Sequence, residues 1–196
     1  MSRSPLRNRI LKGEDMAATV KVPVTKVNLR LGVTQVLEEE VAVETPINLY
    51  ANGEHIVTLL ATPSQVKELA LGYLLDEGLV KNPRDIREVE LDGNDARVVV
   101  RPEIRLRIQA ARTTRLITTA CGSIDDFLRL LDRLDRPHVE STYSIAAEHV
   151  LRMVYELNQK AEVYHRTGGI HSAALYAKGE LVALAEDVGR HNAVDK

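Results

Sequence analysis

At 196 residues, with 28 acidic and 26 basic side chains and a formal charge of −2, the chain can bury one good core. It spreads no field of one sign that would draw nucleic acid or an anionic membrane to its surface. The absence of Trp and the single Phe leave little aromatic surface for stacking single-stranded nucleic acid. One cysteine excludes an internal disulfide and a zinc cage of several thiolates, which points to a reducing cytoplasm. No apolar run reaches the roughly 20 residues that cross a bilayer.

The first 16 residues are basic, interrupted by Pro5 and Gly13, and lack the apolar stretch of a secretory signal. Residues 1–20 are read as a disordered tail, 21–112 as a strand-rich lobe and 113–196 as a second, α/β lobe. In the first lobe Asn52-Gly53 separates two β-prone runs. Both residues tolerate the positive φ of a tight turn, so a hairpin is expected from about Ile47 to Leu60. Thr62, Pro63 and Gln65 read as helix cap, first-turn proline and capping-box partner. Val66, Leu69, Ala70, Tyr73 and Leu74 follow at helical spacing, and Gly78 supplies a stop. The turn residues Asp92 to Asp95 predict a second hairpin, and the alternation from Glu103 to Gln109 a half-exposed strand.

Beyond Cys121 the pattern becomes helical. Ser123 and Asp126 form a start signal for a helix that ends before Pro137. Ser144 is expected to cap a longer helix burying Ala146, Val150, Met153, Val154 and Leu157. A third hairpin should turn at Lys178-Gly179, and a further helix should open near Arg190 or His191.

Three places carry possible chemistry. Cys121 lies between a β-prone segment and a capped helix, where unpaired N–H groups and the positive end of the helix dipole favour a nucleophilic thiolate. An inert buried cysteine is the competing reading, and the charges of Asp125 and Asp126 oppose a neighbouring thiolate. His171 follows Gly168 and Gly169, a permissive segment whose N–H groups can approach a phosphate or a pterin. Gly189, Arg190, His191 and Asn192 repeat the arrangement at a helix start, with a cation and an amide beside the histidine. Two ordinary turns with satisfied side chains would read the same way. No Walker A or GxGxxG pattern occurs, and no HExxH or carboxylate cluster accompanies the histidines as zinc ligands would require.

Five ordered segments, 44–50, 67–78, 118–122, 168–176 and 186–196, make the chain resemble the FdhD/NarQ family from about Leu37 onward. That family comprises formate dehydrogenase accessory sulfurtransferases. The resemblance implies a cytidine-deaminase-like fold, an α/β (α+β) mixed sheet with flanking helices. Deaminase chemistry is not implied, because Ala193 stands where a deaminase has its proton-moving Glu and Cys121 has no partner thiol. By the same resemblance Cys121 accepts sulfur as a persulfide from a cysteine desulfurase. It would pass that sulfur to a molybdenum or tungsten bis-pterin guanine dinucleotide, carried as transient cargo for formate dehydrogenase or a related molybdoenzyme.

The cofactor-facing residues would be Gly168, Gly169, His171, Gly189, Arg190, His191 and Asn192, with room for guanine nucleotide and no zinc. A cytoplasmic homodimer that touches neither nucleic acid nor membrane completes the expectation. Two features depart from the pattern: Ile124 replaces the second thiol of the Cys-x-x-Cys found in many members, and the chain stops at Lys196, inside a helix with no stop signal. Relatives continue there and complete a guanine pocket. The alternative is a chaperone that holds cofactor or apoenzyme without moving sulfur; a zinc nucleoside deaminase ranks last.

Overall fold

The structure is a computed structural model that describes residues 17–102 and 140–196. The strand expected at Glu103 to Gln109, the helix from Ser123 to Pro137 and Cys121 itself lie outside the described residues.

A four-stranded mixed sheet forms the centre. Its strands are β3 (Thr45–Ala51), β4 (Glu54–Ala61), β5 (Ile86–Asp92) and β6 (Asp95–Val100), in the spatial order β4-β3-β6-β5. Local turn chemistry makes both hairpins. Asn52 and Gly53 take φ of 49° and 82°, and Gly93 takes 58°, left-handed values that suit the twist of paired strands. The hairpins join through β3 and β6, which run parallel, with Asn48 opposite Asp95 and Ala51 opposite Val98. Polar side chains stitch this seam. Asn48 Nδ2 donates to Asp95 Oδ1 at 2.9 Å, and Val100 N–H donates to Asn52 Oδ1 at 3.0 Å, extending the ladder past the end of β3.

A parallel pair needs a crossover, and α1 (Val66–Asp76) lies in that connection. Its Val66, Leu69, Ala70, Tyr73 and Leu74 meet Ile47, Leu49 and Ala51 of β3 and Ala96, Val98 and Val100 of β6 in one buried cluster. Each large side chain in that cluster contributes about 1.5–3 kcal/mol of transfer free energy. Gly78 ends the helical segment at φ 65°, its N–H bonded to the Leu75 carbonyl at 3.1 Å. Leu79 and Val80 then turn back into the core.

The start of α1 differs from expectation. Gln65, in the left-handed conformation with φ 51°, precedes the helix, and no side chain caps it. Thr62 is fully buried and bonds elsewhere, as described below.

Two further antiparallel pairs of strands form separate two-stranded sheets. β1 (Thr19–Asn28) and β2 (Val33–Ala42) form a long antiparallel ribbon that begins inside the stretch read as a tail. Its turn is held by Asn28 Oδ1, which accepts the N–H groups of Arg30 and Leu31 at 3.0 and 3.1 Å, and by Gly32 at φ 63°. β7 (His171–Ala177) and β8 (Glu180–Asp187) form the third predicted hairpin, with Lys178 at φ 54° and Gly179 at 85°.

Before that hairpin come α2 (Ala147–Lys160) and α3 (Glu162–Thr167). Ser144 does not cap α2; Ala146 occupies the cap position with extended backbone and no side-chain bond. The expected buried face is also corrected, since Val150 and Val154 are 43% and 49% exposed. Met153 and Leu157 are half-buried. One anchor of α2 is polar, the Tyr176 O–H donating to the Met153 carbonyl at 2.9 Å. The last element, α4 (Arg190–Asp195), packs on α1 and β7. Among the described residues no helix is long and apolar enough to cross a membrane.

Candidate functional site

The two glycine–histidine segments lie at the same, open end of the β7–β8 hairpin. Register sets this: His171 pairs with Asp187, and Ser172 with Glu186, so the chain entering β7 and the chain leaving β8 emerge side by side. Successive residues of a strand point to opposite faces. Glu186 and Asp187, both buried, therefore act on different neighbours.

Glu186 reaches α3. Its carboxylate accepts Val163 N–H at 3.0 Å and Tyr164 N–H at 2.8 Å, satisfying two of the orphan donors that open any helix. The residue at the cap of α3, Ala161, has no side chain able to do so. At the other end Gly168 closes α3 in the left-handed conformation, with φ 63° and its N–H bonded to the Tyr164 carbonyl at 2.7 Å. Gly169 N–H donates to Thr167 Oγ1 at 3.3 Å. Both glycine N–H groups expected to face an anion thus have partners within their own turn.

Asp187 lies at the centre of a closed network. Oδ1 accepts Gly189 N–H at 2.7 Å and Asn192 Nδ2 at 3.0 Å. Oδ2 accepts Thr62 N–H at 3.0 Å and the Lys196 ammonium at 2.7 Å, in an ion pair whose two side chains are both 0% exposed. Lys196 Nζ also donates to the carbonyls of Thr62 and Glu186 at 2.9 and 3.2 Å. Asn192 Nδ2 further donates to the Leu60 carbonyl at 2.8 Å. Thr62 Oγ1 accepts Val188 N–H at 3.1 Å, which is the role it takes in place of capping α1. An ion pair removed from water is tolerated only when its remaining lone pairs and protons are bonded. That condition is met here, and no buried side-chain nitrogen or oxygen among the described residues lacks a partner.

Two glycines permit this packing. A Cβ on Gly189 would lie 2.7 Å from Asn192 Nδ2 and 3.3 Å from Asp187 Oδ1. One on Gly72 of α1 would lie 1.8 Å from the Asp195 carbonyl oxygen, so α1 and α4 touch backbone to backbone. At this contact burial and the carboxylates of Asp76 and Glu77 push the Asp195 carboxyl up to about 6, with His191 opposing.

The sequence-predicted residues thus divide into two groups. Gly168, Gly169, Gly189 and the amide nitrogen of Asn192 hold the local structure. The side chains of His171, Arg190 and His191 are exposed at the end of the hairpin, and among the described residues the Arg190 side chain makes no hydrogen bond or ion pair. Since α4 has only six residues and Gly189 N–H is engaged by Asp187, the chemistry offered here is that of side chains: one guanidinium and two imidazoles suited to an oxyanion. Among the described residues no three His, Asp or Glu side chains converge as metal ligands.

Sequence reading missed Thr62, Asp187 and Lys196. Only the bond from Gly189 N–H to Asp187 has a local signature, an Asp accepting from the backbone two residues on.

Comparison with known proteins gives a consistent result. A family model described as the FdhD/NarQ family matches residues 42–196. The Sulfur carrier protein FdhD of Listeria monocytogenes is 33% identical over 168 residues, covering 84% of this chain and 64% of the relative. The protein of that name from Shouchella clausii is 34% identical over 165 residues, covering 82% and 61%. That of Cupriavidus necator is 34% identical over 173 residues, covering 85% and 60%. The chain therefore spans less than two thirds of the length of these relatives. A crystal structure from Desulfotalea psychrophila, described as that of a formate dehydrogenase accessory protein, superposes with a TM-score of 0.68 at 21% identity. It covers 91% of this chain and 66% of that one, so the mixed α/β fold is shared.

Proposed function

Because the chain belongs to the FdhD/NarQ family, we propose that it is a sulfur carrier that takes sulfane sulfur onto Cys121 and delivers it to a pterin-bound metal for formate dehydrogenase. One observation carries this reading. The match over residues 42–196 contains the single cysteine of the chain, and relatives about one third identical bear the name sulfur carrier protein.

Thiolate exchange supplies the chemistry. The Cys121 thiolate attacks the terminal sulfur of a donor persulfide on a cysteine desulfurase; the donor S–S bond breaks, its cysteine leaves as thiolate, and Cys121 becomes the persulfide. Delivery reverses the logic. The terminal sulfur passes to the molybdenum or tungsten centre of the cargo, which supplies the two electrons that make it sulfide, and Cys121 returns to thiolate. The cargo, a bis-pterin guanine dinucleotide, carries diphosphates, and Arg190, His171 and His191 are the groups proposed to meet one of them. The protein would act as a cytoplasmic homodimer.

The test is mass spectrometry after incubation with a desulfurase and cysteine. A gain of one sulfur on Cys121, removed by reductant, is expected. In a deletion strain Cys121→Ala should abolish formate dehydrogenase activity. Full activity of that variant would replace the sulfur carrier with a chaperone that only holds the cofactor.

A further inference from the structure

We infer that the buried network of Thr62, Asp187 and Lys196, which holds the backbone at both ends of α4, is a positioning device that fixes where Arg190 and His191 stand, with each of its bonds needed for that order. The inference deepens the proposed function, and its ligand arm rests on that reading.

The geometry joins three segments distant in the chain. Asp187 ends β8, Thr62 lies in the turn before α1, and Lys196 follows α4. Between β8 and α4 the backbone consists of Val188 and Gly189 alone, and both N–H groups are held: Val188 by Thr62 Oγ1 at 3.1 Å and Gly189 by Asp187 Oδ1 at 2.7 Å. The far end of α4 is tied to the same carboxylate through Lys196 at 2.7 Å. Its middle is tied through Asn192 at 3.0 Å. One carboxylate thus holds the start, the middle and the end of the short element that displays Arg190 and His191.

A six-residue helix has little stability of its own. Without these bonds the arginine would be presented on a frayed turn. With them it stands on a rigid backbone, which lowers the ordering cost of binding an anion. In some proteins, buried polar groups that must find one partner fix the register of the elements carrying them.

Asp187→Asn strands the Lys196 ammonium and risks unfolding, so Thr62→Val is the principal variant. It keeps the shape of a fully buried side chain, leaves the ion pair in place and removes only the acceptor of Val188 N–H. The first readout needs no ligand: backbone ¹⁵N order parameters of Gly189, Arg190 and His191 should fall in Thr62→Val, while those of β3 and β6 stay fixed. Unchanged order parameters at 189–191 overturn the inference.

The second readout is the affinity for inorganic pyrophosphate, followed by ³¹P resonance at a temperature where every variant is fully folded. Loss of one hydrogen bond's worth of order should weaken binding about three- to tenfold. In an Arg190→Ala background Thr62→Val should weaken it no further, because the threonine acts through the arginine. A purely structural threonine would leave the affinity of the folded protein unchanged or would act equally in both backgrounds, and either outcome overturns the inference. If the wild type binds no pyrophosphate while the order parameters fall as stated, the positioning stands and the diphosphate part of the proposed function fails.

Discussion

Replacing Gly72 with Ala sets two physical effects against each other with opposite sign. Gly72 lies inside α1, where alanine is favoured over glycine by about 1 kcal/mol. Its missing side chain is also what lets α4 approach: an added Cβ would sit 1.8, 2.5 and 2.8 Å from the carbonyl oxygen, carbonyl carbon and Cα of Asp195. All three are backbone atoms, so no rotamer change relieves the clash. Restoring contacts of about 3.5 Å from the 1.8 Å approach requires α4 to retreat by roughly 1.7 Å. That movement would stretch the bond from Lys196 to Asp187, now 2.7 Å, beyond hydrogen-bonding distance.

Overpacking costs about 1–3 kcal/mol, and opening a buried ion pair about 3–5 kcal/mol when it is complete. Partial relaxation and the gain in helix propensity bring the expected net loss to about 2–4 kcal/mol. Urea unfolding followed by far-ultraviolet circular dichroism measures it. Gly169→Ala is the control, since a Cβ there would find its nearest neighbour at 3.9 Å; its change should stay within about 0.5 kcal/mol. If Gly72→Ala is as stable as the wild type, or gains about the 1 kcal/mol of helix propensity, the backbone contact between α1 and α4 does not govern stability and the reasoning is refuted.

Two further predictions follow from local electrostatics and backbone conformation. Because burial, then Asp76 and Glu77, raise the Asp195 carboxyl to about 6, the native state holds this proton more tightly than the unfolded chain does. Its contribution to stability is therefore present at low pH and lost as pH rises through about 6. Asp195→Asn should be more stable than the wild type at pH 7, by about 1 kcal/mol once solvent screening of a partly exposed group is allowed for. The advantage should vanish below pH about 4, and an advantage independent of pH would refute the assignment. Lys178 adopts φ 54° in the β7–β8 turn, a conformation that asparagine tolerates better. Lys178→Asn should therefore raise the urea midpoint by the equivalent of about 0.5 kcal/mol, and a fall would show that the lysine makes a contact outweighing its backbone strain.

What the sequence determined by itself was whatever nearest neighbours control. The turns at Asn52-Gly53, Gly93-Asn94 and Lys178-Gly179 and the stop at Gly78 were legible because positive φ is a property of one or two residues. The five segments likewise identified the family without any coordinates. The ribbon of β1 and β2 was missed although Asn28 and Gly32 mark its turn, because the loop between them lacks the two-residue signal of a tight hairpin. The tertiary structure decided everything that depends on burial between distant segments. Thr62 carries the local features of a helix cap, yet its N–H reaches a carboxylate 125 residues away. Gly72 looks like a weak point in a helix until α4 is laid against it. Nothing along the chain pairs Asp187 with Lys196, and only the packed fold takes them out of water together, where a charge without its partner would cost several kcal/mol. The exposed Arg190 and the histidines beside it were visible as motifs, but the network that holds them was not, because hydrogen-bond partners are chosen by proximity in space and a linear pattern records proximity only along the chain.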